Sequence, residues 1–466
     1  MGTSVSFGKY SPSVVEDLDF DIEFSLDASQ NTVVPLGILD FKNNYENPYF
    51  AFNYSLLKSR VEELHFQITD ESGKPIYNMG YLEPIIITAP KKAKIQQDAK
   101  SNAPVFNLEN PIKSWKYESI FKPHILTQPD FTQPGSYTIY WDGFDNDEVF
   151  DSKNFDGKRL IAKITAVKGG SQKSIEIDFT TIYNEVKWVD VKINKKTKKI
   201  DVELRVNLKD GGAEGFDIEN YHEPLDDPRM PSRQRHPSEG IPKEYRDRMR
   251  YPPIMSPTRS YQQLEQLAIE GLNYHWGRNS NHFIAKNVLI AEEPYEINLN
   301  AVNSHDDVKA IDDISLIYNT NGPWMRSGNP GTVEGIVSAV GNLVSREAIC
   351  YNVGYLKYSN GWGYRRESQE DLEFKDTAAH EIGHTVLKAY GGTTYSYGHK
   401  GSVNVITQNK KSSAPTLPLS GEIDLMPYFR ENELGGEGSQ PNYHARRVAA
   451  EKDVLSLLWL TKIKIR

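Results

Sequence analysis

The stretch Asp376-Thr-Ala-Ala-His380-Glu381-Ile-Gly-His384-Thr-Val-Leu-Lys-Ala-Tyr390-Gly391-Gly392 decides the reading of this chain. It contains H-E-x-x-H. An α-helix turns once per 3.6 residues, so residues four apart share a face about one turn apart. Two imidazoles so placed can grip one Zn²⁺, and Glu381 beside them can hold and deprotonate a zinc-bound water. The local sequence predicts the helix independently of the motif. Asp376 is a suitable N-cap. Ala379, Ile382, Val386 and Ala389 make an apolar stripe, and Gly391-Gly392 offers a left-handed stop. A chain of 466 residues with 11 histidines meets the motif by chance in roughly 2 of 100 cases, so the helical setting is what raises it above coincidence.

Two histidines do not complete a site, because catalytic zinc takes three protein ligands and a water. Three candidates follow the helix: His399, and Glu422 and Asp424 in Glu422-Ile-Asp424-Leu-Met426-Pro-Tyr428. Glu373 lies about two turns before His380 and falls out of reach. A histidine six residues after His384 would give metzincin spacing, but Tyr390 stands there. Glu422 comes 38 residues after His384, as expected of a ligand brought in from a separate element. It is the preferred third ligand, with Asp424 and His399 as alternatives. Asp424-Leu-Met426-Pro reads as a turn that sets a methionine under the metal. Tyr428 could then donate to the oxyanion of a tetrahedral intermediate, as could His399, Tyr395 or Tyr397.

A net charge of −9 argues against a nucleic-acid partner. No run approaches the ~18 apolar residues of a membrane span, so no membrane role is expected. The N-terminus has no basic-then-apolar signal. The expectation is synthesis in the cytoplasm, with any export made by a machine other than the Sec route. The single cysteine, Cys350, lies in an apolar run and reads as a buried strand residue rather than a nucleophile. The length predicts two or three domains.

Residues 1–182 read as an all-β sandwich. Asp17-Leu-Asp-Phe-Asp-Ile-Glu-Phe-Ser-Leu26 alternates with period two. Short strands follow at Val61–Thr69, Pro134–Trp141, Gly157–Ala166 and Ser174–Phe179, separated by Gly, Pro and Asp turns. The acidic loop 142–151 could hold Ca²⁺ but lacks the EF-hand register, and a solvated hairpin loop is the favoured reading. Residues 183–258 divide into a hairpin (Glu185–Ile193 and Lys199–Val206, joined by a lysine-rich turn) and a linker with eight prolines across 221–257. Residues 259–466 carry a helix over 260–277 with a Ser260/Gln263 capping box, strands near 295–301, 314–318 and 348–358, the H-E-x-x-H helix, and a closing helix over 442–460. This is the layout of an α+β zincin-type metallopeptidase domain. In that fold a strand edge beside the site can hold an extended peptide through its main chain.

Two resemblances add expectations. The order of strand, D-x-x-G turn and the W-D-G of Trp141-Asp142-Gly143 resembles the immunoglobulin-like module of flagellar hook-cap proteins, which implies a scaffold or binding role for about 110 residues. H-E-I-G-H-T-V-L-K-A-Y-G-G, Y-S-Y-G-H-K-G-S, G-E-I-D-L-M and E-K-D-V-L-S-L-L-W-L, in that order, resemble the zinc metallopeptidase toxins of bacterial type VI secretion systems. Some of those are C-terminal extensions of the spike protein. The resemblance covers roughly the last 210 residues. It implies Zn²⁺ held by His380, His384 and a downstream glutamate, best matched by Glu422, with Glu381 as base. It further implies a protein or peptide substrate and delivery by a secretion spike or adaptor into a target-cell periplasm; an immunity protein is a candidate partner whose existence the sequence does not decide. This chain has no spike module; a sandwich stands in its place. Two other functions fit the same residues: a secretion-associated binding protein with a degenerate motif, or a zinc peptidase acting on peptidoglycan stem peptides.

Overall fold

The computed structural model describes residues 18–79, 132–215, 241–328, 348–398 and 412–466, apart from positions 28, 30, 242, 247, 249, 307 and 360, together with two short paired strands at 95–97 and 104–106. The molecule is mostly β-sheet, with an all-β N-terminal part and a mixed α+β region after it. Strands of the first part are β1 (Asp21–Leu26), β2 (Thr32–Val33), β3 (Phe50–Leu57), β4 (Glu63–Asp70), β5 (Pro75–Met79), β6 (Ile95–Gln97), β7 (Pro104–Phe106), β8 (Gly135–Trp141), β9 (Val149–Asp151), β10 (Lys158–Lys168) and β11 (Ser171–Tyr183). One antiparallel sheet has the order β1-β3-β8, and a larger one runs through β11-β10-β4-β5. Their inner faces follow the period-two pattern of the sequence: Leu64, Phe66 and Ile68 on β4 and Leu160, Ala162, Ile164 and Ala166 on β10 are buried. Aromatic rings join the sheets, Phe52 to Phe66 at 5.2 Å and to Phe179 at 5.7 Å between centroids. The W-D-G corner is pinned by Trp141 Nε1, which donates to Phe144 O at 2.8 Å.

The second part begins with the hairpin β12 (Val189–Asn194) and β13 (Lys199–Val206) and continues through β14 (Leu208–Glu214), helix α1 (Tyr261–His275), β15 (Val288–Ile290), β16 (Glu293–Asn303), β17 (Ile314–Pro323), β18 (Ala348–Tyr358), β19 (Gly361–Arg365) and helix α2 (Glu367–Tyr397). Two sheets form, β15-β16-β13-β12-β9 and β14-β17-β18-β19. The chain passes from one to the other at buried Asn207, between β13 and β14. Helices α1 and α2 lie together on these sheets, with Phe374 of α2 edge-on to Tyr351 of β18 at 5.6 Å.

The two parts share strands and a core. β12 pairs with β9 of the first part and β13 with β16 of the second. The final strand, β22 (Ile463–Ile465), returns to lie between β2 and β11. The acidic loop and the lysine turn, read separately from sequence, meet. Lys195 pairs with Asp142 at 2.5 Å and Lys196 with Asp147 at 3.2 Å. Like-charged runs are costly alone, and here each neutralises the other. The end of the proline-rich segment lies on the second sheet: Tyr251 stacks on Tyr364 at 4.6 Å, and Asn321 donates to Ile254 O.

Two helix expectations are corrected. The H-E-x-x-H helix starts at Glu367, nine residues before Asp376, so Asp376 is an interior residue and not an N-cap. The closing segment is not one helix. It divides into α3 (Tyr443–Arg446), a two-residue strand β21 (Arg447–Val448) and α4 (Glu451–Trp459). Arg447 and Val448 leave the helix because they pair in parallel with β20 (Ile423–Asp424). Among the described residues, no helix is long and apolar enough to cross a membrane.

Candidate metal centre

Helix α2 breaks at Gly392, where φ is +79° and ψ 174°, a conformation that only glycine adopts cheaply. The break matters for His384. In a straight helix Ser396 would stand twelve residues, roughly 18 Å, beyond it. With the chain folded back at Gly392, Ser396 Oγ donates to His384 O at 2.6 Å and lies 3.2 Å from His384 Nδ1. Its own hydrogen is spent on the carbonyl, so Oγ accepts the Nδ1 proton. Tyr397 stacks on the His384 ring at 4.8 Å and 15°. His384 is buried.

His380 is fixed in the same sense. Its Nδ1 lies 3.0 Å from Leu425 O, and a carbonyl can only accept, so Nδ1 carries the proton. Both rings therefore present the lone pair on Nε2, the tautomer in which a ligating histidine donates its other nitrogen to a fixed oxygen. The rings are 4.9 Å apart between centroids. Burial, and after it the charge of Arg447, holds His380 down at about 4, so it is neutral and ligand-competent near neutral pH.

Glu381 is half-buried beside the pair. Burial pushes its carboxyl up to about 7, with the charge of Arg326 pulling the other way. A carboxylate poised near neutrality is suited to taking and returning a proton. Tyr428 stands across from it, 6.3 Å from the His380 ring between centroids. Burial raises its phenol, as does the charge of Glu381, while Arg326 opposes both by charge and by a hydrogen bond. Arg326 escaped the sequence reading. It sits on the segment after β17 whose backbone Asn352 clamps at Met325 N and O, and Gly328 then pairs antiparallel with Ala348.

The turn beneath the helix holds the expected methionine. Met426 is buried, and a Cβ on Gly383 would lie 3.0 Å from its sulfur and 2.8 Å from Trp276 Cζ2. Trp276 Nε1 donates to Ala379 O at 3.0 Å. Only a glycine at 383 lets this floor approach so closely.

Glu422 is not brought to the histidines. Its carboxylate is taken by Arg278, with Nη1 at 2.9 Å and Nη2 also bonded, because that guanidinium is buried and needs a counter-charge. Asp424 lies nearer: its charge bears on His380, and its Oδ1 accepts from Met426 N at 3.3 Å. His399 lies outside the described residues. Among the described residues, no group of three or more His, Cys, Asp or Glu comes together to hold a metal. The histidine pair fits zinc in tautomer and spacing, and the third ligand is the part not assembled there. His275 and Trp276 pack at the end of α1, His275 Nδ1 lying 2.8 Å from Arg447 O. No family model matches the chain, and no curated protein matches it.

Proposed function

We propose that the chain is a zinc-dependent endopeptidase of zincin type, an antibacterial effector of a type VI secretion system with an immunoglobulin-like sandwich before its peptidase part. One observation carries the peptidase reading: both histidines of H-E-x-x-H are held with Nδ1 donating to a fixed oxygen, on one face of a helix whose Glu381 lies between them. A zinc ion bound there would polarise the scissile carbonyl and acidify a water. Glu381 takes the proton from that water at its carboxylate and passes it to the departing amine nitrogen. Tyr428 donates to the developing oxyanion.

The test uses Glu381→Ala in the full chain. Zinc content should stay at the wild-type level while cleavage of a quenched-fluorescent peptide library falls by about 10²–10⁴-fold. Unchanged cleavage would refute the assignment. The Arg278–Glu422 pair favours a second reading, a binding protein with a degenerate motif. In that case the wild type takes up no more zinc than His380→Ala does.

A further inference from the structure

We propose that Arg447, fixed by Asp376, is the positioning residue of the ligand His380; this rests on the zinc reading above. Leu425 O holds His380 Nδ1, and this carbonyl oxygen has two lone pairs. The second is taken by Arg447 Nη2 at 2.8 Å. The same guanidinium donates through Nε to Asp376 Oδ1 at 2.9 Å and through Nη1 to Tyr443 OH at 2.8 Å. Asp376 lies on α2 one turn before His380. The chain of contacts therefore closes a ring: helix, Asp376, Arg447, Leu425 carbonyl, His380, helix. The three guanidinium bonds of the ring are buried, so none of them competes with bulk water.

The backbone reinforces the ring. Arg447 pairs with Ile423, and Leu425 N donates to Val448 O at 2.9 Å. The break in the closing helix places Arg447 on a strand beside the methionine turn, and that break is what lets its side chain reach both Asp376 and Leu425. An ion pair with Asp376 alone would need only a charge. The planar fork with three separately directed bonds is a feature of arginine that lysine lacks. Removing a partner of this kind behind a ligating histidine weakens metal binding by about 10–100-fold.

The experiment measures zinc affinity of the purified full chain by competition with a colorimetric chelator, alongside the thermal midpoint of the zinc-free protein. Arg447→Lys keeps the charge opposite Asp376 and loses the Leu425 bond. It should bind zinc about 10–100-fold more weakly than wild type. Asp376→Asn, which unfixes the guanidinium, should also weaken zinc and replaces Arg447→Lys if that variant does not fold. Arg259→Lys is the control: Arg259 pairs with Asp371 and Glu367 on the same helix, so it should lower the midpoint with zinc affinity unchanged. Wild-type affinity in both Arg447→Lys and Asp376→Asn overturns the proposal while leaving the endopeptidase reading standing. Absence of zinc binding by the wild type overturns both.

Discussion

Replacing Gly383 by alanine sets two known effects against each other, and the sign of the result tests the architecture of the site. In an open helix interior, glycine to alanine gains about 0.5–1 kcal/mol. Here the new methyl would stand 2.8 Å from Trp276 Cζ2 and 3.0 Å from Met426 Sδ. Neither neighbour is at liberty to withdraw. Trp276 is buried and tied to Ala379 O. Met426 is flexible, but the turn that carries it is held by Leu425 at both N and O. Overpacking a site of this kind costs about 1–3 kcal/mol. The balance is a net loss of about 1 kcal/mol, because the clash exceeds the propensity gain. Either the helix lifts or the turn drops, and both movements lengthen the His380–Leu425 bond. Denaturant unfolding with and without zinc reads both consequences: a lower midpoint, and a smaller stabilisation by zinc. A variant about 1 kcal/mol more stable than wild type, showing the helix gain alone, would refute the close floor.

Deleting Lys462–Arg466 removes β22, whose Ile463 and Ile465 are buried. At about 1.5–3 kcal/mol for each side chain the loss is about 3–6 kcal/mol, and the midpoints read at Trp141 and at Trp276 should fall together; a shift at only one of them would mean separable units. At low pH, Asp376 contributes to the acid limb. Burial opposes its ionisation, but the charge of Arg447 and then the His444 ring hold its carboxyl well below the usual carboxylate range. Its contribution is therefore complete above the ordinary value of 3.8 and is lost as pH falls through the lowered one. Asp376→Asn should cost about 3–5 kcal/mol at pH 7, and the gap to wild type should shrink in unfolding measurements carried below pH ~4; a constant gap would exclude this role.

The elements with strong periodicity were legible in the sequence. The Ser260/Gln263 capping box forms at the head of α1 with both of its bonds, and the alternation of β4 and β10 buries the residues it should. Helical spacing also brought His380, Glu381 and His384 together, since i, i+1 and i+4 follow from the pitch alone. What escaped was decided at a distance. Gly391-Gly392 reads as a stop, yet the chain reverses and resumes, and only the return shows that Ser396 backs His384. Val448 carried the apolar period of a helix, but pairing with Asp424 outweighed that local preference. Glu422 had a suitable spacing for a ligand, and nothing local to it reveals that buried Arg278 takes its charge.

The sandwich bears on the site through the same helix. Its loop over residues 35–47 leans on the far end of α2, where Tyr390 OH donates to Leu39 O at 2.6 Å and Phe41 packs edge-on against Tyr390 and Tyr395. Helix α4 is clamped to the same loop by Lys452, which donates to Phe41 O and Asn43 Oδ1, each at 2.8 Å. Tyr390 and Tyr395 lie on either side of the Gly392 break, and the residue after Tyr395 is the serine that holds His384. A β-sandwich serving only as a docking module would need one flexible connection to the second part. This one is joined by β9, by β22 and by the loop that braces the reversed turn. Force or ligand binding on the sandwich would reach the His384 ring along this loop and turn, while His380 is secured from the other side by the Arg447 contacts.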